Sequence, residues 1–153
     1  MRIKHWDNFA FIAGYHLLLL LLFPLFIKYF HWSALVLCGV TYILGGLAIT
    51  AGYHRLFSHR SYKASPVWEN LNLFFATLAV EASALQWSND HRIHHTHVDT
   101  DKDPYNIHRG FFYAHIGWLF VHHEPIQDRI VSDLKKNPRV MFQYNHLLSL
   151  SLI

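Results

Sequence analysis

Hydrophobic and polar positions fall in long blocks along this chain, not in short alternation. The first apolar block runs from Phe9 to Ile27 and carries no charge. About 20 residues of helix cross the ~30 Å hydrocarbon core of a bilayer, so the block is long enough. A second uncharged block runs from Ser33 to Gly52. Lys28, Tyr29, His31 and Trp32 separate the two, with the aromatic residues typical of a membrane boundary. The pattern predicts an antiparallel transmembrane hairpin with helices over 9–27 and 33–52. Pro24 is expected to kink the first helix without ending it. A cleaved signal peptide is the competing reading of that block, but KYFHW follows in place of a small-residue cleavage site. His16 lies inside the block and reads as a polar side chain bonded to a neighbouring helix, not as a metal ligand. Gly39, Gly45, Gly46 and Gly52 would let helix backbones approach closely.

A third block, Val67 to Gln86, has a helical pattern interrupted by Glu69, Asn70, Asn72 and Glu81. Two charges inside a span would cost about 2.5 kcal/mol or more each. A crossing would also place the histidines on either side of it at opposite membrane faces. The block is therefore expected to be one interfacial helix over about 67–86, an inference that rests on the two histidine groups acting together. Gly110 to Val121 is apolar and aromatic but too short to span. From His122 to Tyr144 the chain is mixed, with a surface helix expected around Asp133 to Lys136 and a break at Asn137-Pro138. His146 to Ile153 reads as the opening turns of another apolar helix.

The expected fold is an all-α integral membrane protein. It consists of a transmembrane helical hairpin, interfacial or amphipathic helices and a cytosolic His-rich cap, forming a single domain over 1–153. Arg2 and Lys4 precede the hairpin, Arg55, Arg60 and Lys63 follow it, and Lys28 alone lies in its turn. The excess of basic residues on one side places the N-terminus and the His54 to Lys63 segment in the cytoplasm.

Composition supports the membrane reading. The chain is 52% hydrophobic and 15% charged, against roughly 25% charged in soluble domains. The net charge of +3 is spread out, which argues against a nucleic-acid partner. Cys38 is the single cysteine, so no disulfide can form within the chain. The outlying number is 14 histidines against 10 acids.

Those histidines cluster. The stretch HRIHHTHVD places His91, His94 and His95 at i, i+3 and i+4, one face of a helix. His54 and His59, in HRLFSH, are five apart, about 140° around an ideal helix. They can share a site only where the helix ends or distorts, as it could just after Gly52. Neutral imidazole is the commonest metal ligand. A cysteine-rich zinc site is excluded and no HExxH motif is present. Imidazole also suits iron, whose open positions allow oxygen chemistry. Asp90 and Asp99 are placed to orient histidine N–H groups. Asp99, Asp101 and Asp103 alternate like a calcium loop, but Pro104 stands at the turn glycine and Gly110 at the bidentate glutamate, so a capping or solvated loop is the better reading.

HRLFSH, DHRIHHTHVDTDKDPYN and RGFFYAHIGWLF resemble, in this order, the membrane fatty-acid desaturases, most closely the acyl-CoA family that forms a delta-9 cis double bond. The resemblance implies an oxygen-dependent desaturase with two iron ions as cofactor and dioxygen as co-substrate. It implies His54, His59, His91, His94 and His95 as ligands, with His97 outside the ligand set. Trp87 and Asp90 match positions near the acyl chain or head group. Asn89 stands where animal enzymes commonly carry Arg. The implied partners are a fatty acyl substrate (most simply acyl-CoA), an electron donor such as cytochrome b5 or a ferredoxin with its reductase, and membrane lipid. The family's third His-x-x-His-His box is not found, so the sequence resembles an N-terminal half that is expected to be inactive alone. Two alternatives remain: a related di-iron hydroxylase or alkane oxygenase, and a non-catalytic membrane protein binding zinc or haem.

Overall fold

A computed structural model describes residues 3–121 and 125–152. Arg2, the segment His122 to Glu124 and Ile153 lie outside the described residues. Every regular element described is helical.

Helix α1 spans Trp6–Lys28 and buries none of its residues against the rest of the chain. A mostly apolar helix that buries none of its residues suits a lipid surround. Only its N-terminal end is tied down. Lys4 and His5 donate backbone N–H groups to the Phe120 carbonyl, and Asn8 donates to Leu119. Helix α2 begins at Trp32, capped by the His31 ring, and is α-helical to Leu47. It then continues without a break as π-helix from Ala48 to Ser58. The continuous helix has 27 residues, and with α1 it makes two helices long and apolar enough to cross a membrane. The second therefore runs beyond its expected end at Gly52, and the extension carries His54. The all-α membrane hairpin read from the hydrophobic blocks is the architecture observed.

The single helix expected over 67–86 is instead two helices. Helix α3 spans Pro66–Leu78, started by the Ser65 hydroxyl and by Pro66 at its first position. Val80 (φ 57°) and Ala82 (φ 65°) then adopt left-handed backbone, and helix α4 starts afresh at Ala84 under a Ser83 cap. The apolar pattern continues through the break, which is why periodicity alone could not see it. Helix α3 is 13 residues long, about 20 Å, too short for a ~30 Å core. Helix α4 spans Ala84–His97 and returns the chain to the π-helical stretch.

A short 3-10 turn, Ile107–Arg109, and a π turn, Tyr113–Gly117, lead into helix α5, Trp118–Val121. The Phe120 ring packs edge-on against Phe9 of α1. Helix α6 spans Asp128–Lys135, covering the first part of the surface helix expected there. Helix α7 spans Pro138–Ser151. Asn137-Pro138, expected as a break, is the start signal of α7: Asn137 caps it and Pro138 takes the first position. The apolar turns expected to open at His146 are thus the second half of a longer helix, which bends at His146 itself (φ −117°).

The core lies between the π-helical stretch and α3, α4, α6 and α7, around Tyr53, Leu85, Val131 and Val140. Gln143 of α7 is buried within it. Its amide donates to Tyr53 Oη, the Leu73 carbonyl and Thr77 Oγ1, and its oxygen accepts from the Ala84 N–H. Tyr53 in turn donates to the Ala82 carbonyl, holding the α3–α4 break.

Two glycines set how closely α2 and α3 approach. A Cβ on Gly45 would touch Ala79 at 3.5 Å, an ordinary contact. A Cβ on Gly52 would meet Asn72 Cβ and Oδ1 at 2.8 Å. Gly52→Ala is expected to destabilise the fold by about 1–3 kcal/mol, the usual overpacking cost. Gly45→Ala should leave it nearly unchanged. Comparing the two melting temperatures in one detergent checks this; equal midpoints would refute it.

Candidate metal centre

The π-helical geometry answers the spacing problem of the first histidine pair. Five residues put two side chains on different faces of an α-helix. In a π-helix the backbone bonds run from i to i+5, so residues five apart stand one above the other. Here the His59 N–H bonds to the His54 carbonyl, and the two Nε2 atoms are 3.1 Å apart. On α4, His91 and His95 are one turn apart, with their Nε2 atoms also 3.1 Å apart. The two pairs meet at His91, whose Nε2 is 3.0 Å from that of His59.

His54, His59, His91 and His95 each offer a ring nitrogen, all within 4.8 Å of one another, a group that could hold a metal ion. Metal–imidazole bonds are about 2.0–2.1 Å. Two nitrogens 3.0–3.1 Å apart on such bonds subtend roughly 90–100° at the ion, so the spacing fits adjacent ligands. Protonation state fits as well. Burial, and then the neighbouring histidines, push His91 down to about 3. His59 is lowered by burial and by His54, His95 and Arg92. Both rings are neutral at pH 7 and keep a lone pair for a ligand.

His94 stands apart from this group. Its Nδ1 bonds to Asp103 Oδ1 at 2.9 Å, and its ring lies on Tyr105 at 4.3 Å. A carboxylate on one ring nitrogen fixes the tautomer and leaves the other nitrogen for a metal. Among the described residues, the carboxylate bonded to a histidine of these two groups is thus Asp103, which the sequence had placed only in the acidic loop. Burial would raise Asp103, but the bonds from His94 and from the Asp99 and Tyr105 N–H groups outweigh it and hold it low. The alternating aspartates make a loop closed on Asp103, as the capping reading anticipated. Among the described residues no calcium-type carboxylate group forms. Asp99 contributes its backbone, in left-handed conformation (φ 59°).

Asp90 accepts from Gln86 and Asn89. Asn89 is wholly buried, and its Oδ1 accepts from the Gln127 N–H. A residue so placed joins α4 to the segment before α6. Trp87 stacks on His91 with ring centres 4.7 Å apart and donates to Glu81. His97 closes α4, its carbonyl accepting from Thr100. The Tyr105 hydroxyl lies 3.3 Å from His91 Nδ1. No local sequence signal marked Tyr105.

A cleft of about 620 Å³ opens beside His91 and His94. Its apolar wall includes Phe11 and Ile12 of α1, Trp87 and Trp118, and Glu81, Asp90 and His115 also line it. This size is ordinary for a small-molecule site.

Arg92 faces away from the histidines and reaches Asp133 of α6. Burial would raise the Asp133 carboxyl, but Arg92 and Arg60 bring it down to about 2 from the ordinary 3.8. A lowered carboxyl adds stability above its unfolded pKa and loses it as pH falls through the folded one. Between pH 4 and 2 the fold should lose on the order of 1–2 kcal/mol through this group. Asp133→Asn should flatten that part of the pH–stability curve, measured by circular dichroism melts. An unchanged slope would refute it.

An all-helical scaffold with two helices long and apolar enough to cross a membrane, carrying clustered imidazoles that could hold a metal ion, defines a class, the histidine-rich membrane proteins. Within that class the chain is similar to acyl-CoA desaturases along nearly its whole length, as its histidine motifs suggested. It is 41% identical over 152 residues to a probable acyl-CoA desaturase of Schizosaccharomyces pombe, covering 98% of this chain and 31% of the relative. It is 36% identical to a delta(9)-fatty-acid desaturase of Caenorhabditis elegans, covering 97% of this chain and 45% of that protein. It is also 36% identical to the sn-1 stearoyl-lipid 9-desaturase of Anabaena variabilis, covering 97% and 55%. The chain thus spans about a third to a half of the relatives it matches. No family model matches it.

Proposed function

We propose that this chain serves an oxygen-dependent fatty acyl desaturase that introduces a cis double bond, at the delta-9 position, into a saturated acyl chain. The observation that carries the proposal is the convergence of His54, His59, His91 and His95 beside a largely apolar cleft. In this reading those four and His94 are ligands to a di-iron centre on the cytoplasmic face. Iron with dioxygen would supply the oxidant that unactivated methylene C–H bonds demand and side chains cannot provide. The chain's own residues do the positioning. Asp103 holds the His94 tautomer, and Tyr105 and Trp87 fix the His91 ring. The cleft beside α1 would seat the alkyl chain and exclude water, so that geometry selects the reacting carbons. The named relatives include both acyl-CoA and lipid-linked 9-desaturases. Acyl-CoA is the proposed substrate, with cytochrome b5 or a ferredoxin and its reductase as electron donor.

The test is product analysis. Because the chain is expected to be inactive alone, it is joined to the C-terminal part of a matched relative that carries the third histidine box. Membranes containing this protein receive stearoyl-CoA, reduced donor and oxygen, and the acyl products are read by mass spectrometry. Oxygen-dependent appearance of the 9-monoene, lost in His59→Ala and His95→Ala, is the expected result. An alcohol product would overturn desaturation in favour of a hydroxylase. A Soret band with no oxidised product would overturn the di-iron reading in favour of haem.

A further inference from the structure

Arg92 sits next to His91 but points to the other side of α4. Its guanidinium has five N–H donors, and every one is engaged. Nε donates to the Ser58 carbonyl, Nη2 to the Phe57 carbonyl and to Asp133 Oδ2, and Nη1 to the Ile130 carbonyl and Asp133 Oδ1. Phe57 and Ser58 are the last residues before His59. Their carbonyls lie at the end of the π-helical stretch, where helix ends leave acceptors unmatched. The side chain is only 15% exposed, and a buried cation needs a counter-charge. Asp133 supplies it in the two-toothed geometry that only arginine matches. Arg60, on the far side of His59, bonds to the same carboxylate.

We infer that Arg92 and Asp133 form a positioning clamp that sets the distance between the two histidine pairs, making α6 a supporting part of the metal centre. The carbonyls just before His59 are held by the residue just after His91, so neither pair can shift along its helix without breaking several charge-assisted bonds. Site chemistry tolerates only about 0.5 Å of looseness. A lysine at this position keeps the charge but has three donors on a single nitrogen, and it cannot span the two carbonyls and the carboxylate together.

This inference rests on the metal-centre reading for its meaning, and its first readout needs no metal. Cys38, exposed on α2, is replaced by serine, and spin labels are placed at Arg55 and Thr96, both exposed. Distances between them are measured by pulsed electron paramagnetic resonance in nanodiscs. Arg92→Lys is expected to widen the distance distribution by ~2 Å or more, well beyond the tolerance of a preorganised site. Asp133→Asn, the milder change and the fallback where Arg92→Lys does not fold, should widen it less. The second readout is cobalt(II) titration, in which Arg92→Lys should weaken binding by ~10–100-fold, the usual cost of losing a supporting contact. A distribution as narrow as wild type in both variants overturns the clamp, whatever cobalt does. If wild type takes up no cobalt while the variants widen, the clamp stands and the metal reading of this chain fails.

Discussion

Replacing His91 by alanine is expected to abolish metal binding while leaving the fold standing. His91 is where the two pairs meet: its Nε2 is the one nitrogen in hydrogen-bonding range of both His59 and His95. Without it, His54 and His59 remain close, but the ring nitrogen that links them to His95 is gone. Loss should exceed the ~100-fold that removal of an outer contact costs. The same change should not harm the apoprotein. Burial, and then the neighbouring imidazoles, already keep His91 neutral, so deleting the ring removes no charge and costs only its packing against Trp87. Cobalt(II) or zinc(II) titration with a parallel melting curve reads both effects. Wild-type affinity in His91→Ala would sink the four-histidine site. A collapsed melting temperature would recast these rings as core residues.

The second large effect is structural. Gln143→Leu keeps approximate volume and removes every hydrogen bond that the Gln143 amide makes in the core. The Ala84 N–H, the Leu73 carbonyl, Thr77 and Tyr53 each lose that partner. Each buried group left unmatched costs about 1–3 kcal/mol. Some will find other partners, as Tyr53 retains Ala82 and Thr77 retains Leu73. A net loss of about 3–5 kcal/mol is expected. The damage should concentrate at the α3–α4 break, because Ala84 opens the helix that carries His91. Hydrogen exchange should show Ala84 losing protection before the α2 backbone does. Uniform loss of protection would contradict this placement.

Much of the molecule was legible in the sequence because its largest signals are compositional. Two uncharged blocks specify two lipid-facing helices, and the i, i+3, i+4 histidines specify a helical face wherever they occur. What sequence could not show was local backbone geometry and long-range pairing. The α3–α4 break has no proline or glycine; it is held by Gln143, about sixty residues away. Asp90 and Asp99 were read as the carboxylates that orient histidines, and Asp103, which bonds His94, was not, since the turn after α4 decides which carboxylate returns to the ring. Asn89 was singled out only by the family resemblance, and nothing local could show that its side chain pairs with the Gln127 backbone across the core. The N-terminal signals of α7 were visible but read as a stop, since Asn-Pro marks a chain break and a helix start equally well.

The stretch from Ala48 to Ser58 bears on how this segment can change over evolution. Its wider turns accommodate one more residue per ladder bond than an α-helix would, so its defining property is a count, not a composition. Substitutions on its outer side, as at Arg55, leave that count untouched. Deleting a single residue between Gly52 and His59 would instead let the segment relax to an ordinary helix and turn the later histidine away from its partners. Length in this stretch is therefore expected to be more tightly constrained than identity. An insertion and deletion scan, scored by metal uptake, should show a sharp optimum at the natural length.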